Sequence, residues 1–176
     1  MATDVVLLGH SSIRRLRDYM NNNHVNHNLR LHPARFIISC RAQGGLNIER
    51  LIHERSVLFC FLHTSPKIIY LQMGGNDLSS ISSDIVANEV YLFASFLHYG
   101  IQIPIVIGQL LWRDPSSTNQ NYDDKVNEVN AKLLHITRQD NNSCIMFWIY
   151  HVFWSDLSFL GRDGVHLNFN GMFKDI

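Results

Sequence analysis

Ser11, His166 and Asp163 could together carry out acyl transfer if the fold brings them into contact. Ser11 would attack an ester carbonyl, and His166 would take the serine proton on one ring nitrogen. Asp163 lies three residues before His166 and could accept a hydrogen bond from the other ring nitrogen, which would fix the tautomer. These residue types and this spacing predict a compact Ser-His-Asp triad.

Acyl transfer also needs hydrogen-bond donors for the negative oxygen that forms on the substrate. We expect these donors to be the backbone N–H groups of Ser11 and Gly45 and the side-chain amide of Asn76, each contributing roughly 3 kcal/mol when well placed. Ser11 follows an apolar run and precedes a helical pattern, so it is expected at a helix N-terminus, where the dipole favours negative charge. The structural alternative is that Ser11 or Ser12 only caps that helix.

Strand and helix patterns alternate along the chain and must position these residues. Short apolar runs predict five buried strands, at residues 5–8, 36–40, 67–73, 103–110 and 144–150. Apolar residues at helical spacing predict helices at residues 13–20, 46–55, 84–99 and 122–139, with Gly100 ending the third. Residues 21–28 are expected to form a polar loop, and residues 151–165 an irregular segment.

Continuous apolar strands separated by helices predict an α/β fold, with a parallel five-stranded sheet covered on both faces. Ligands of such sheets bind beyond the carboxyl ends of the strands. The turns that hold the candidate residues fall at this edge, at residues 9–12, 43–45, 74–77 and 163–166. Each turn alone is compatible with an ordinary loop, whereas all four at one edge favour an active site.

Four segments of the chain resemble the four blocks of the SGNH (GDSL-like) hydrolases: Gly9-His10-Ser11, Gly45, Gly74-Gly75-Asn76-Asp77 and Asp163-Gly164-Val165-His166. The resemblance spans nearly the whole chain and implies one domain over residues 1–176, with a flavodoxin-like three-layer α/β/α sandwich. It also implies that Ser11, Gly45, Asn76 and His166 take the roles of the family's four namesake residues, with Asp163 as the triad acid. The chain is most similar to small SGNH domains of animal proteins, some attached to retroelements, in which Ile/Val-Arg-Arg-Leu follows the first block.

Three features depart from that family's pattern. His10 stands where the family usually has Asp, and Gly44 and Gly45 compete for the role of the second block. Only ten residues follow His166, so the closing helix is expected to be short or truncated. The ordinary α/β-hydrolase fold is disfavoured, because Ile13 replaces the second glycine of its Gly-x-Ser-x-Gly motif.

The resemblance implies a serine esterase that acts on acetyl or short acyl esters without a cofactor. Candidates for the substrate pocket are His10, Gly44, Trp112 with the neighbouring Arg113, and Trp154, although burial in the core is the favoured interpretation of the aromatic residues. The alternative function is that of a catalytically degenerate domain that binds a carbohydrate, a lipid or a protein. Fold analogy alone does not decide between them.

The composition argues against several other classes of protein. Lys plus Arg and Asp plus Glu are equal, at 15 each, and no aromatic residues alternate with Arg14, Arg15 and Arg17. These arginines therefore predict a solvated helix face and no strong nucleic-acid site. The three cysteines are widely spaced in apolar runs and are expected to be buried free thiols. No metal site is predicted, because a polar loop gives His24, His27 and the nearby His32 no rigid ligand geometry.

The opening residues lack the basic region and long apolar run of a signal peptide. The longest apolar candidate, residues 101–112, is too short to span a bilayer and contains two glutamines. We therefore expect a soluble protein in the cytoplasm or another intracellular compartment, in an oligomeric state that the sequence leaves open.

Overall fold

A computed structural model describes residues 2–22, 28–53, 66–140, 143–150, 157–168 and 170–171. Its five strands form one parallel sheet in the spatial order β2-β1-β3-β4-β5. The strands are β1 (Thr3–Gly9), β2 (Phe36–Ala42), β3 (Ile68–Gln72), β4 (Ile105–Gly108) and β5 (Ile145–Trp148). The predicted α/β fold with a parallel five-stranded sheet is confirmed. The chain changes direction across the sheet between β1 and β3, which is where ligands of such sheets bind.

Within the described residues, four α-helices with both ends defined connect or flank these strands: α1 (Ser11–Asn22), α2 (Ile48–His53), α3 (Ser83–Ile101) and α4 (Tyr122–Gln139). Short 3₁₀ turns lie at Asp77–Ser79, Pro115–Ser117 and Leu157–Phe159. The fourth and fifth strands are shorter than the apolar runs predict. The apolar run of β4 continues beyond the strand into a loop, where Leu110 is buried in the core.

The predicted end of α3 at Gly100 is wrong. The helix continues to Ile101, and Gln102 takes the left-handed conformation with φ 55° while its N–H donates to the His98 carbonyl at 2.7 Å. The Gln102 side-chain amide donates to the Tyr99 carbonyl at 3.0 Å. This bond satisfies a carbonyl of the last turn and stabilises a backbone conformation that glycine would adopt more readily.

Alternate residues of each strand face different layers. Leu8, Leu71 and Ile107 are fully buried in one cluster with apolar residues of α2, α3 and α4. The other face of the sheet packs on α1 and carries a cavity of about 660 Å³, whose walls include Leu7, Tyr70 and Trp148. The cavity on this second face extends to the sheet edge where α1 begins, because Ser12 and His166 also line it.

Other predictions have mixed outcomes. The two described cysteines, Cys40 and Cys144, form no disulfide and are half-buried where the sequence predicted burial, and burial raises the pKa of the Cys40 thiol to about 11. Cys60, like His24 and His27, lies outside the described residues. His32 is exposed, and its Nδ1 accepts the Ala34 N–H at 3.2 Å. Among the helices that are described, none has the length and apolar character needed to cross a bilayer.

Candidate active site

A close approach of two backbones places Ser11 at the edge of the sheet. A Cβ atom on Gly9 would lie 2.5 Å from the Gln72 carbonyl oxygen, so only glycine fits where β1 ends beside β3. Ser11 is the first residue of α1 and is 9% exposed. The nucleophile candidate therefore lies at a helix N-terminus, with its backbone N–H among those that no helical carbonyl can accept.

The residue that caps α1 is His10, so the structural alternative in which Ser11 or Ser12 is the capping residue does not apply. The Ser12 N–H donates to His10 Nδ1 at 3.3 Å. Because Ser11 is itself helical, the preceding residue occupies the capping position and supplies the acceptor. The Ser11 hydroxyl is thus available for a different partner.

That partner is His166. Ser11 Oγ lies 2.6 Å from His166 Nε2, and His166 Nδ1 lies 3.1 Å from Asp163 Oδ2. The other carboxylate oxygen, Asp163 Oδ1, accepts the N–H groups of Val165 and His166, each at 3.1 Å. The Gly161 N–H closes the loop by donating to the His166 carbonyl at 2.7 Å. The structure brings the three predicted residues together in the order that general-base activation of a serine requires.

The surroundings set the charges of this group. Burial lowers the pKa of His166, and Arg15 and Arg113 lower it further against the opposing effect of Asp163, so the ring is neutral at pH 7 and can accept a proton. Burial opposes ionisation of Asp163, but the N–H groups of Val165 and His166 and the His166 ring outweigh it and hold the carboxyl pKa well below its usual range.

The ring of His10 is neutral as well. Burial, followed by the charges of Arg113 and His166, lowers its pKa to about 4. A protonated His10 beside Ser11, which would attract negative charge, is therefore excluded at neutral pH.

The second predicted turn lies next to the first. The Gln43 N–H donates to the Gly9 carbonyl at 3.3 Å, which holds residues 43–45 beside the end of β1. Gly45 has φ +67° and is exposed, a conformation that favours glycine. Gly44 packs against Arg14, because a Cβ there would lie 3.0 Å from the guanidinium nitrogen Nη1.

Asn76 and Asp77 tie the third turn to the second. Asn76 Nδ2 donates to the Leu46 carbonyl at 3.0 Å, and Asp77 Oδ1 accepts the Ile48 N–H at 3.1 Å. The amide nitrogen of Asn76 carries two hydrogens, and this bond uses one of them. Asn76 Oδ1 accepts from Arg113 Nη2 at 3.1 Å, which fixes the orientation of the amide.

The loop after β4 places Arg113, and not Trp112, beside Ser11. Trp112 Nε1 donates to Asn127 Oδ1 on α4 at 3.0 Å. Arg113 lies 4.5 Å above the Tyr122 ring and, with Tyr122 and Leu111, lines a cavity of about 20 Å³ beside Ser11. Trp154 lies outside the described residues. Tyr122 was not predicted as a site residue, because the sequence pattern indicated only that it begins a helix. Its hydroxyl donates to the Gly75 carbonyl at 3.2 Å.

Arg15 was also missed as a site residue. The sequence predicted a solvated face for it, but Arg15 Nη2 donates to Asp163 Oδ2 at 2.5 Å. The only available signal was its spacing of four residues from Ser11, which places both side chains on one face of α1.

Solved structures share this architecture over almost the whole chain. A member of the lipolytic protein G-D-S-L family from Veillonella parvula is similar over 98% of this chain and 93% of its own, with a TM-score of 0.72 and 18% identity. The chain has the SGNH hydrolase fold. A GDSL-like lipase from Bacteroides thetaiotaomicron gives a TM-score of 0.67 at 14% identity, over 98% of this chain and 84% of its own. A lipase/acylhydrolase from Enterococcus faecalis gives 0.64 at 14% identity, over 97% and 89%.

No protein-family model matches the chain, and no curated protein matches its sequence. The likeness at these low identities concerns the fold, and the chemistry must be argued from the residues of this chain.

Proposed function

We propose that this chain is a serine ester hydrolase in which Ser11 is the nucleophile, His166 the general base and Asp163 the residue that orients the base. The observation that carries the proposal is the continuous contact from Ser11 Oγ to His166 Nε2 at 2.6 Å and from His166 Nδ1 to Asp163 Oδ2 at 3.1 Å. Both distances lie within hydrogen-bonding range. The neutral state of His166 and the ionised state of Asp163 supply the charges that the mechanism needs.

In the first half of the reaction, Ser11 Oγ forms a bond to the ester carbonyl carbon while its proton passes to His166 Nε2. The tetrahedral intermediate then collapses, the carbon–oxygen bond to the alcohol breaks, and His166 returns the proton to the departing alcohol. In the second half, His166 takes a proton from water, which attacks the acyl-serine carbonyl carbon. The bond to Ser11 Oγ then breaks, His166 returns the proton to that oxygen, and the carboxylic acid leaves. Asp163 remains ionised throughout and stabilises the protonated ring.

The proposed donors for the oxyanion are the N–H groups of Ser11 and Gly45 and the second amide hydrogen of Asn76. The bonds from Asn76 to Leu46 and from Arg113 to Asn76 support this role, since they hold the amide in place before substrate binds. Donors fixed in advance need no reorganisation during the reaction, which is the source of their catalytic effect.

We propose acetyl or other short acyl esters as substrates. The proposal follows the resemblance to the SGNH hydrolases, and the cavity beside Ser11, with free volume of about 20 Å³ or roughly one water, leaves no room there for a long chain. A longer acyl chain would have to enter the larger apolar cavity of about 660 Å³, which shares five lining residues with the small one: Ser12, Gln72, Leu111, His166 and Leu167. A series of nitrophenyl esters of increasing chain length tests this point: turnover should fall from acetate to longer esters, and a rise with chain length would contradict the short-acyl proposal.

We also propose that the chain is of the small animal SGNH type. The run Ile13-Arg14-Arg15-Leu16 directly after the first block supports this assignment.

Labelling with a fluorophosphonate probe, followed by peptide mapping, tests the proposal directly. We expect the probe on Ser11, and we expect Ser11→Ala to abolish both labelling and ester hydrolysis while changing stability by less than about 1 kcal/mol, because one small residue replaces another at the end of a helix. Ser12→Ala is the matched control, since the bond from residue 12 to His10 uses the backbone N–H. Turnover retained in Ser11→Ala would remove Ser11 as nucleophile, and a wild type that neither labels nor turns over would favour the binding-module alternative.

A further inference from the structure

One turn of α1 contacts both ends of the loop that holds the base. Ser11 and Arg15 are four residues apart and therefore lie on the same helix face. Ser11 contacts His166, and Arg15 contacts Asp163. Helix α1 thus contacts the side chains of Asp163 and His166, which are the first and last residues of a four-residue loop segment.

The contacts of Asp163 show what Arg15 adds. Three of the four donors to the carboxylate belong to its own loop: the N–H groups of Val165 and His166, and the His166 ring. Among the described residues, Arg15 is the only donor to Asp163 from another part of the fold. Both Arg15 and His166 bind the same oxygen, Oδ2, so the guanidinium fixes the oxygen that receives the imidazole N–H.

We propose that Arg15 is a positioning residue of the triad, whose guanidinium holds the Asp163 carboxylate so that His166 stays aligned with Ser11. The role rests on the proposed function, although the positioning itself is independent of turnover. An arginine suits the task because its planar donor group is always charged and loses little freedom when it binds a carboxylate.

The other arginines of α1 have different contacts, which supplies a matched control. Arg14 packs against Gly44. Arg17 pairs with Asp18, its neighbour in sequence, on the exposed surface at 3.2 Å. Arg17→Gln therefore removes the same charge from the same helix without touching the triad.

The charges around His166 give the direction of the effect. The titratable and charged groups that face its ring are Asp163 in its own loop, Arg15 on α1, Arg113 after β4, and His10 before α1. Arg15 opposes protonation of His166, so its removal raises the pKa of the ring. Both partners of the Arg15–Asp163 pair are 37% exposed, so salt should weaken this effect.

The first experiment is an NMR titration of the His166 ring in the wild type, Arg15→Gln, Arg15→Lys and Arg17→Gln, at low and high salt. It needs no substrate, so it remains informative even if the protein lacks esterase activity. We expect a higher His166 pKa in Arg15→Gln, a value close to the wild type in Arg15→Lys, and no change in Arg17→Gln. Loss of the Arg15 charge raises the His166 pKa, whereas a displaced Asp163 would lower it, so the signal of the His166 Nδ1–H proton is followed in the same samples. We expect that signal to weaken or shift in Arg15→Gln alone, and an unchanged Nδ1–H signal would overturn the proposal.

The second experiment is a double-mutant cycle on ester hydrolysis with Asp163→Asn. Arg15→Gln should lower kcat about tenfold with little change in KM, because small displacements of a catalytic group are costly. The same substitution should have no further effect in the Asp163→Asn background, since Arg15 acts through that carboxylate. Equal losses in both backgrounds would mean that Arg15 acts elsewhere. Should Arg15→Gln fail to fold, Arg15→Lys provides the same test: we expect rates between those of the wild type and Asp163→Asn.

Discussion

Replacing His10 by Asp tests how the turn before Ser11 is held in place. His10 is 6% exposed, and its Nδ1 accepts the Ser12 N–H at 3.3 Å, which is a long hydrogen bond. Its pKa, lowered to about 4 by burial and by the charges of Arg113 and His166, leaves it neutral at pH 7. A neutral acceptor at this distance holds the Ser12 N–H weakly, so the turn has room to be stabilised.

A carboxylate at position 10 would accept the Ser12 N–H in a charge-assisted bond, which is roughly twice as strong as a neutral one. The gain is about 1 kcal/mol. If all of it is expressed as better positioning of Ser11, kcat rises about fivefold, because roughly 1.4 kcal/mol corresponds to a factor of ten. Arg113, whose charge already acts on residue 10, would offset the negative charge introduced near the oxyanion.

The assay is the dependence of kcat for nitrophenyl acetate on pH, from about pH 5 to about pH 8, where an imidazole titrates. His10→Asn is the matched control, because it offers an acceptor oxygen without a charge. We expect His10→Asp to be faster than the wild type and His10→Asn to lie between them. The new carboxylate should also favour the protonated form of His166 and move the midpoint of the profile to higher pH in His10→Asp alone. A kcat for His10→Asp at or below that of His10→Asn would refute the reasoning.

Three further predictions concern the base, the oxyanion and the fold. The wild-type rate should rise with pH through a midpoint below 6.5, because burial lowers the pKa of His166, and a flat profile would remove His166 as base. Asn76→Ala should lower kcat about a hundredfold with a smaller change in KM, since its amide binds charge that develops in the transition state; a change in KM alone would contradict this role. Burial raises the pKa of Asp77 above its usual 3.8, so the folded wild type loses stability as the pH rises through that raised value. Urea unfolding of Asp77→Asn and the wild type at acidic and at neutral pH checks this. The free energy of unfolding of the mutant relative to the wild type should be higher at neutral pH than at acidic pH, and the same difference at the two pH values would contradict the reasoning.

The features that the sequence predicted well depend on local patterns. Each strand is a largely apolar run, and a helical pattern follows each of the first four, which is enough to define a parallel sheet. The parallel arrangement then puts the turns after the strands at one edge. It follows that Ser11, Asn76 and His166 could be expected near one another without knowledge of any contact between them.

The features that the sequence missed depend on single long-range or terminal contacts. Arg15 and Asp163 are 148 residues apart, and no local pattern pairs them. The end of α3 at Ile101 depends on a side-chain bond from Gln102, which makes a non-glycine residue acceptable in the left-handed region. A bond from the Ile48 N–H to buried Asp77 joins two turns whose sequences show only glycine-rich turn signals.

The start of α1 connects these points, because it decides three contacts at once. Residues four apart share a face only when both are helical, so a helix that began at Ser12 would no longer hold Ser11 and Arg15 on one face. It would also make Ser11 the capping residue and commit its hydroxyl to the backbone. With His10 in the capping position, the Ser11 hydroxyl is left to His166 and the Arg15 guanidinium to Asp163. His10 departs from the family pattern, but its ring caps α1, and the helix therefore begins at Ser11.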